Sequence, residues 1–249
     1  MVYMGSKNRI AKYLLPFLTK YLTLDRWYVE PFVGGANLID KIKHNKRMGS
    51  DINQYLIALF EALQIGVDFP TYITKEEYNK VRNNKDKYPD WYVGYVAYVC
   101  SFRGIYWGSH ADNNNKRKNG RVEHRQAEQI RNFVSQKESL KDVFFKCSPY
   151  DELDIPNGSI VYCDPPYAGT SDYKQGCVFD SNKFFDWCRI ITNKGNDVLI
   201  SEYNAPNDFI EIWNMGINMN LNSYGRKPIE KLFVHESIAD KYKVKTLFD

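Results

Sequence analysis

The stretch WYVEPFVGGAN, residues 27–37, decides the fold. Its first half is a short, mainly apolar run of the length of a buried strand. Its second half turns on Gly34 and Gly35, where the absence of Cβ lets the backbone bend sharply and approach a ligand closely. The next residues, ANLIDKIKH (36–44), read as a helix whose first N–H groups are free to meet that ligand. KRMGSDIN (46–53) reads as a second short strand ending in an acid, and QYLIALFEAL (54–63) as a second helix. Strand, turn, helix and strand in this order open a doubly wound α/β sheet.

Working outward, residues 6–22 carry apolar side chains at helical spacing (Ile10, Leu14, Leu15, Leu18, Leu22). From Gly66 to about Leu140 the chain becomes rich in Lys, Asn, Tyr and Arg, and the spacing predicts helices over 75–88, 90–102 and 125–139. A polar loop, GSHADNNNKRKNGR, joins the last two. Strand-like runs then return at VFFKC (143–147), SIVYC (159–163) and NDVLIS (196–201), with the helix NKFFDWCRIIT (182–192) between the last two. The simplest parsing is an α/β domain of residues 1–65 and 141–249, interrupted by a mostly helical basic module of residues 66–140.

Composition bounds the function. The 249 residues are 43% hydrophobic and 26% charged, as in soluble globular proteins. No apolar run is long enough for a membrane helix, and MVYMGSKNRI lacks an apolar signal core, so a cytoplasmic location is expected. Five cysteines, widely spaced and without a C-x-x-C pair, argue against a disulfide framework or a zinc site. The net charge of +4 is mild, but Lys116, Arg117, Lys118, Arg121 and Arg125 are opposed locally by Glu123 alone.

The sharpest chemistry lies in SIVYCDPPYAGT (159–170), an apolar strand opening onto an acid, two prolines and an aromatic. Pro165 and Pro166 fix φ, so the carbonyls beside Asp164 are held with a fixed aim. The Asp164 carboxylate and the Pro165 carbonyl form a pair of acceptors for the two N–H donors of a planar aromatic amine. Holding both hydrogens favours a pyramidal nitrogen whose lone pair can meet an electrophile. Tyr167 supplies a face for the ring. The bland alternative is a Pro-rich turn capped by Asp164. Asp51 likewise has two readings, a ribose-binding acid or an N-cap for the helix beginning near Ile52. The five tryptophans read as core residues more readily than as base stackers, Trp107, beside Gly108 in the basic module, being the one to test as a wedge in nucleic acid. His110 and His124 read as surface residues.

In order, YMGSK (3–7), EPFVGGAN (30–37), SDIN (50–53) and DPPY (164–167) resemble the motifs of N6-adenine-specific DNA methyltransferases of the D12, Dam/DpnM-like class, alpha group. The resemblance implies a Rossmann-like fold, a seven-stranded mostly parallel sheet with an inserted target-recognition domain at 66–140. It implies S-adenosyl-L-methionine as methyl donor, S-adenosyl-L-homocysteine as product and no metal. Tyr3 and Lys7 would contact the cofactor, Phe32, Gly34 and Gly35 would line its methionine portion, and Asp51 would hold its ribose. Asp164, Pro165, Pro166 and Tyr167 would form the catalytic motif, with Asp164 between cofactor and amine and Tyr167 stacked on a flipped adenine. Tyr150 would lie near the target or cofactor base. From the residues themselves, Ser201, Glu202 and Tyr203 at the end of their strand read either as shaping the adenine pocket or as a strand-ending turn. The loop carrying Lys116, Arg117 and Lys118 reads either as a source of phosphate contacts to double-stranded DNA, with Arg103 or Arg121 reaching guanine edges, or as a solvated loop. The expected setting is the cytoplasm of a prokaryotic or virus-infected cell, and a separately acting restriction endonuclease is left open as a partner. Methylation of RNA adenine or of the cytosine N4 amine, or an inactive DNA-binding relic, remain alternatives. Relatives that read GATC carry an F-N-V-P-type hairpin; CSFRGIYWGSHADNNNKRKNGR (100–121) stands in its place here, so a GATC target is not implied.

Overall fold

A computed structural model of the chain describes residues 1–113, 115–116, 122–166, 179–216 and 229–243, with 115, 116 and 122 described by backbone alone. Strands are β1 (Tyr28–Glu30), β2 (Arg47–Asp51), β3 (Asn115–Lys116), β4 (Val122–Glu123), β5 (Val143–Cys147), β6 (Ile160–Cys163), β7 (Asp197–Glu202), β8 (Phe209–Gly216) and β9 (Ile229–His235). Helices are α1 (Ala11–Thr19), α2 (Gln54–Ile65), α3 (Lys75–Asn83), α4 (Asp90–Gly94), α5 (Arg125–Val134), α6 (Lys137–Leu140), α7 (Ser181–Asn193) and α8 (Glu236–Tyr242).

Seven strands form one sheet in the order β5–β2–β1–β6–β7–β9–β8. The first five run parallel, and β9 joins β7, and β8 joins β9, antiparallel. Strand alternation divides the core between the two faces. Tyr28, Tyr162 and Leu199 point to the face covered by α1 and α2, where Leu14, Leu18, Leu56 and Phe60 are buried. Their neighbours Val29, Val161 and Val198 point to the other, against Phe184, Cys188 and Ile191 of α7. Because β1 leads to β2 and β5 on one side while β6 and β7 lie on the other, the strand order reverses between β1 and β6. Open α/β sheets bind ligands at the carboxyl ends of the strands flanking such a reversal.

Residues 66–140 add no described strand to the large sheet; they hold α3 to α6 and the antiparallel pair of β3 and β4. Their buried side chains, Val81, Tyr95 and Phe133 among them, are continuous with the core on the α1 and α2 face. Gly94 lets α4 lie directly on α2, since a Cβ there would sit 2.0 Å from the Tyr55 carbonyl oxygen.

Several expected helices are shorter than their apolar spacing suggests. ANLIDKIKH forms only a 3-10 turn at Ile39–Lys41. Ala36, at φ +53°, is left-handed, and Ile42 is already extended towards β2, so no room remains for a regular turn to propagate. The helix expected over 6–22 begins at Ala11, after a 3-10 turn at Lys7–Arg9, and ends at Thr19. That over 90–102 is α4 continued as a π-helical turn, Tyr95–Val99. That over 125–139 divides into α5 and α6.

Candidate active site

Three carboxylates converge at the carboxyl ends of adjacent strands. Glu30 ends β1, Asp51 ends β2 and Asp164 follows β6. All three line a crevice of about 250 Å³, closed on one side by the Tyr3–Lys7 segment and on the other by the glycine turn and Pro165–Pro166. Lys7 is the cationic side chain among its described lining residues.

The glycines make room for Tyr3 as much as for a ligand. A Cβ on Gly35 would sit 2.6 Å from Tyr3 Cβ, and one on Gly34, at φ +46°, would sit 2.9 Å from the Tyr3 ring. Tyr3 in turn stacks on Tyr98 at 5.7 Å, tying the N-terminal motif to the inserted segment. Asn37 Nδ2 donates to the Met1 carbonyl at 3.0 Å, fastening the same segment to the glycine turn. Gly104 adds a third close approach, since a Cβ there would collide with the Val2 carbonyl oxygen.

Asp51 is not the helix cap. That role belongs to Asn53, whose Oδ1 accepts from Tyr55 N and Leu56 N at 3.0 and 3.3 Å. The Asp51 carboxylate accepts instead from Asn53 N at 2.9 Å and from Gly34 N at 3.3 Å, locking the end of β2 to the glycine turn. Burial raises its pKa to about 6 against the pull of those N–H groups. Glu30 is buried more deeply in effect: burial pushes it to about 8, although Tyr28 Oη donates to it at 2.7 Å.

Asp164 meets Lys7 Nζ at 3.2 Å, and the same ammonium meets Glu230 of β9 at 3.1 Å. Burial alone would lower the Lys7 pKa, but Asp164 and Glu230 outweigh it and the net shift is upward. Glu230, which no local motif announces, reaches the crevice only through Lys7. Glu30 lies within EPFVGGAN, and only its position at the crevice wall distinguishes it from any acid that ends a strand.

The crevice thus brings together Tyr3, Lys7, Phe32, Gly34, Gly35, Asp51, Asp164, Pro165 and Pro166. Tyr150 stands behind Phe32, stacked on it at 5.2 Å and edge-on to Trp187. Ser201 is buried behind Tyr162, their hydroxyls 2.7 Å apart, and it is Tyr162 that reaches the crevice. Arg103 is exposed, with its guanidinium 5.1 Å from the Phe102 ring centre. Arg125 approaches the same ring at 4.8 Å. Tyr167, Arg117, Lys118 and Arg121 lie outside the described residues, as does the side chain of Lys116.

One expectation fails and one candidate role is removed. Trp107 is no surface wedge: it is buried, edge-on to Tyr78 at 5.4 Å, because the turn at φ +47° folds it inward. His110 is half-buried, bonded to the Ile73 carbonyl at 2.7 Å, whereas His124 is exposed as expected.

A family model described as D12 class N6 adenine-specific DNA methyltransferase matches residues 3–238 of this chain. The Type II methyltransferase M.FokI of Planomicrobium okeanokoites is 25% identical over 224 residues, covering 79% of this chain and 32% of that protein. The DNA adenine methylase of Salmonella typhi is 25% identical over 189 residues, and that of Escherichia coli K12 is 26% identical over 188. Each of these two matches covers 69% of this chain and 66% of the methylase. The chain therefore spans about a third of M.FokI and just under two thirds of the adenine methylases.

Proposed function

Because the chain belongs to the D12 class of N6 adenine-specific DNA methyltransferases, we propose that it methylates the N6 amino group of an adenine extruded from duplex DNA, using S-adenosyl-L-methionine. The observation that carries this reading is the Asp164 carboxylate, rigidly backed by two prolines and held at the wall of the glycine-lined crevice. The donor supplies an electrophilic methyl group on a sulfonium, so the protein need only bind, orient and polarise.

The described residues fit such a donor. An acid-rich crevice suits a cation, Asp51 offers an acceptor at the position where α/β sites hold a ribose, and the glycine turn admits close backbone approach. Tyr3, Lys7, Phe32, Gly34 and Gly35 complete the lining. Asp164 and the Pro165 carbonyl accept the two amine hydrogens of the base and aim its lone pair into the crevice. Tyr167, assigned by its motif position, offers a stacking face worth about 1–3 kcal/mol against an extrusion cost of a few kcal/mol. Arg103 with the basic run Lys116, Arg117, Lys118 and Arg121 is assigned to the DNA, in an inserted recognition segment of residues 66–140.

The test is incubation with S-adenosyl-L-methionine carrying a labelled methyl group and duplex DNA, followed by digestion to nucleosides. Label in N6-methyladenine is expected. Label in cytosine or only in RNA, or no label in any nucleic acid, overturns the reading.

A further inference from the structure

Glu230 belongs to β9, beyond every recognisable motif, yet its carboxylate lies 3.1 Å from Lys7 Nζ. Lys7 is 7% exposed and Glu230 10%, so this is an interior contact with little solvent to screen it. The same ammonium also meets Asp164, at 3.2 Å.

A single Lys7–Asp164 pair would be neutral. Among the described residues, Glu230 adds a second carboxylate to that ammonium, and these three side chains by themselves carry one net negative charge. The sulfonium donor, with its ammonium and carboxylate ends, carries one net positive charge. Its product has lost the sulfonium and is neutral. A fixed negative charge beside the crevice therefore acts on the donor and not on the product.

We propose that Glu230 is a positioning residue that shares the Lys7 ammonium with Asp164, its carboxylate adding a negative charge beside the crevice so that the sulfonium donor is bound in preference to its neutral product. This deepens the transferase reading and rests on it. At an effective dielectric of about 20, a unit charge about 10 Å away changes the affinity of a unit cation by about tenfold.

The test is calorimetric titration of the intact protein with S-adenosyl-L-methionine and, separately, S-adenosyl-L-homocysteine, at one ionic strength. Glu230→Gln is expected to weaken donor binding by about tenfold and leave product binding near wild type. Lys7→Met, which adds net negative charge, is expected to raise the donor-to-product affinity ratio. The double variant is expected to return the ratio towards wild type, because its net charge is the same. A merely structural role for Glu230 would weaken both ligands together. An unchanged ratio in Glu230→Gln overturns the inference; should that variant not fold, an unchanged or lowered ratio in Lys7→Met does so. If the wild type binds neither ligand, the transferase reading itself fails; if it binds and transfers while the ratios stay fixed, only the role of Glu230 falls.

Discussion

Lys7 Nζ lies 3.2 Å from Asp164 Oδ1, so the N-terminal motif and the Asp-Pro-Pro motif meet in one ion pair across the crevice. Removing the carboxylate does not orphan the ammonium, which keeps Glu230 at 3.1 Å. Asp164→Ala is therefore expected to leave stability within about 1 kcal/mol of wild type, unlike the breaking of an isolated buried pair. Methyl transfer should fall by at least about 100-fold, since the acceptor for the amine is gone. Labelled transfer and urea denaturation on the same preparation check both. Near-wild-type turnover would remove Asp164 from the chemistry.

Much of this arrangement is legible in the sequence. The runs at 143–147 and 160–163 became strands nearly as bounded, because a short apolar run between turn residues has few alternatives inside an α/β core. Asp51 and Asp164 were visible because each closes such a run. Glu230 was not, since one acid in IEKLF has the same local chemistry as any strand acid, and its meaning comes from a partner at the opposite end of the chain. The π turn at 95–99 was equally hidden: it follows the seating of α4 on α2, a tertiary contact with no local signal. The burial of Trp107 is not legible either, because it depends on the inward turn of its backbone and not on its place beside Gly108 in a basic segment.

Gly35→Ala tests the packing of the N-terminal motif on the glycine turn. The new Cβ would fall 2.6 Å from both Tyr3 Cβ and Asn37 Nδ2, closer than atoms tolerate, so Tyr3 must move. A loss of about 1–3 kcal/mol is expected from the overpacking. Donor affinity should fall in parallel, because Tyr3 forms part of the crevice wall. Chemical denaturation and ligand titration measure the two losses, and a variant with both intact would show that Tyr3 is not held by this contact.

Trp107→Ala separates a core role from a DNA-wedge role. The side chain packs between Tyr78 and Tyr106, so its truncation should cost about 3–5 kcal/mol of stability. A wedge would instead show unchanged stability with weakened DNA binding. Melting curves in the absence of DNA decide between them.

Glu30 predicts how stability depends on pH. Its carboxyl, ordinarily near 4.5, is raised to about 8, chiefly by burial, with the hydrogen bond from Tyr28 opposing and the charges of Asp40 and Asp164 reinforcing the shift. Between those two values the folded chain holds a proton that the unfolded chain has released. Stability therefore falls as pH rises through this window, at up to about 1.4 kcal/mol per pH unit, and levels off above the folded value. Asp51, raised to about 6, adds to the fall in the lower part of the range. Glu30→Gln keeps an acceptor for Tyr28 Oη but has no proton to lose. Urea denaturation at pH 5, 6.5 and 8.5 should show the variant close to wild type at the lowest pH and more stable at the highest. Parallel curves for the two proteins would mean that Glu30 ionises normally in the folded state, and the acidity of the crevice would then have to be counted with one more charge.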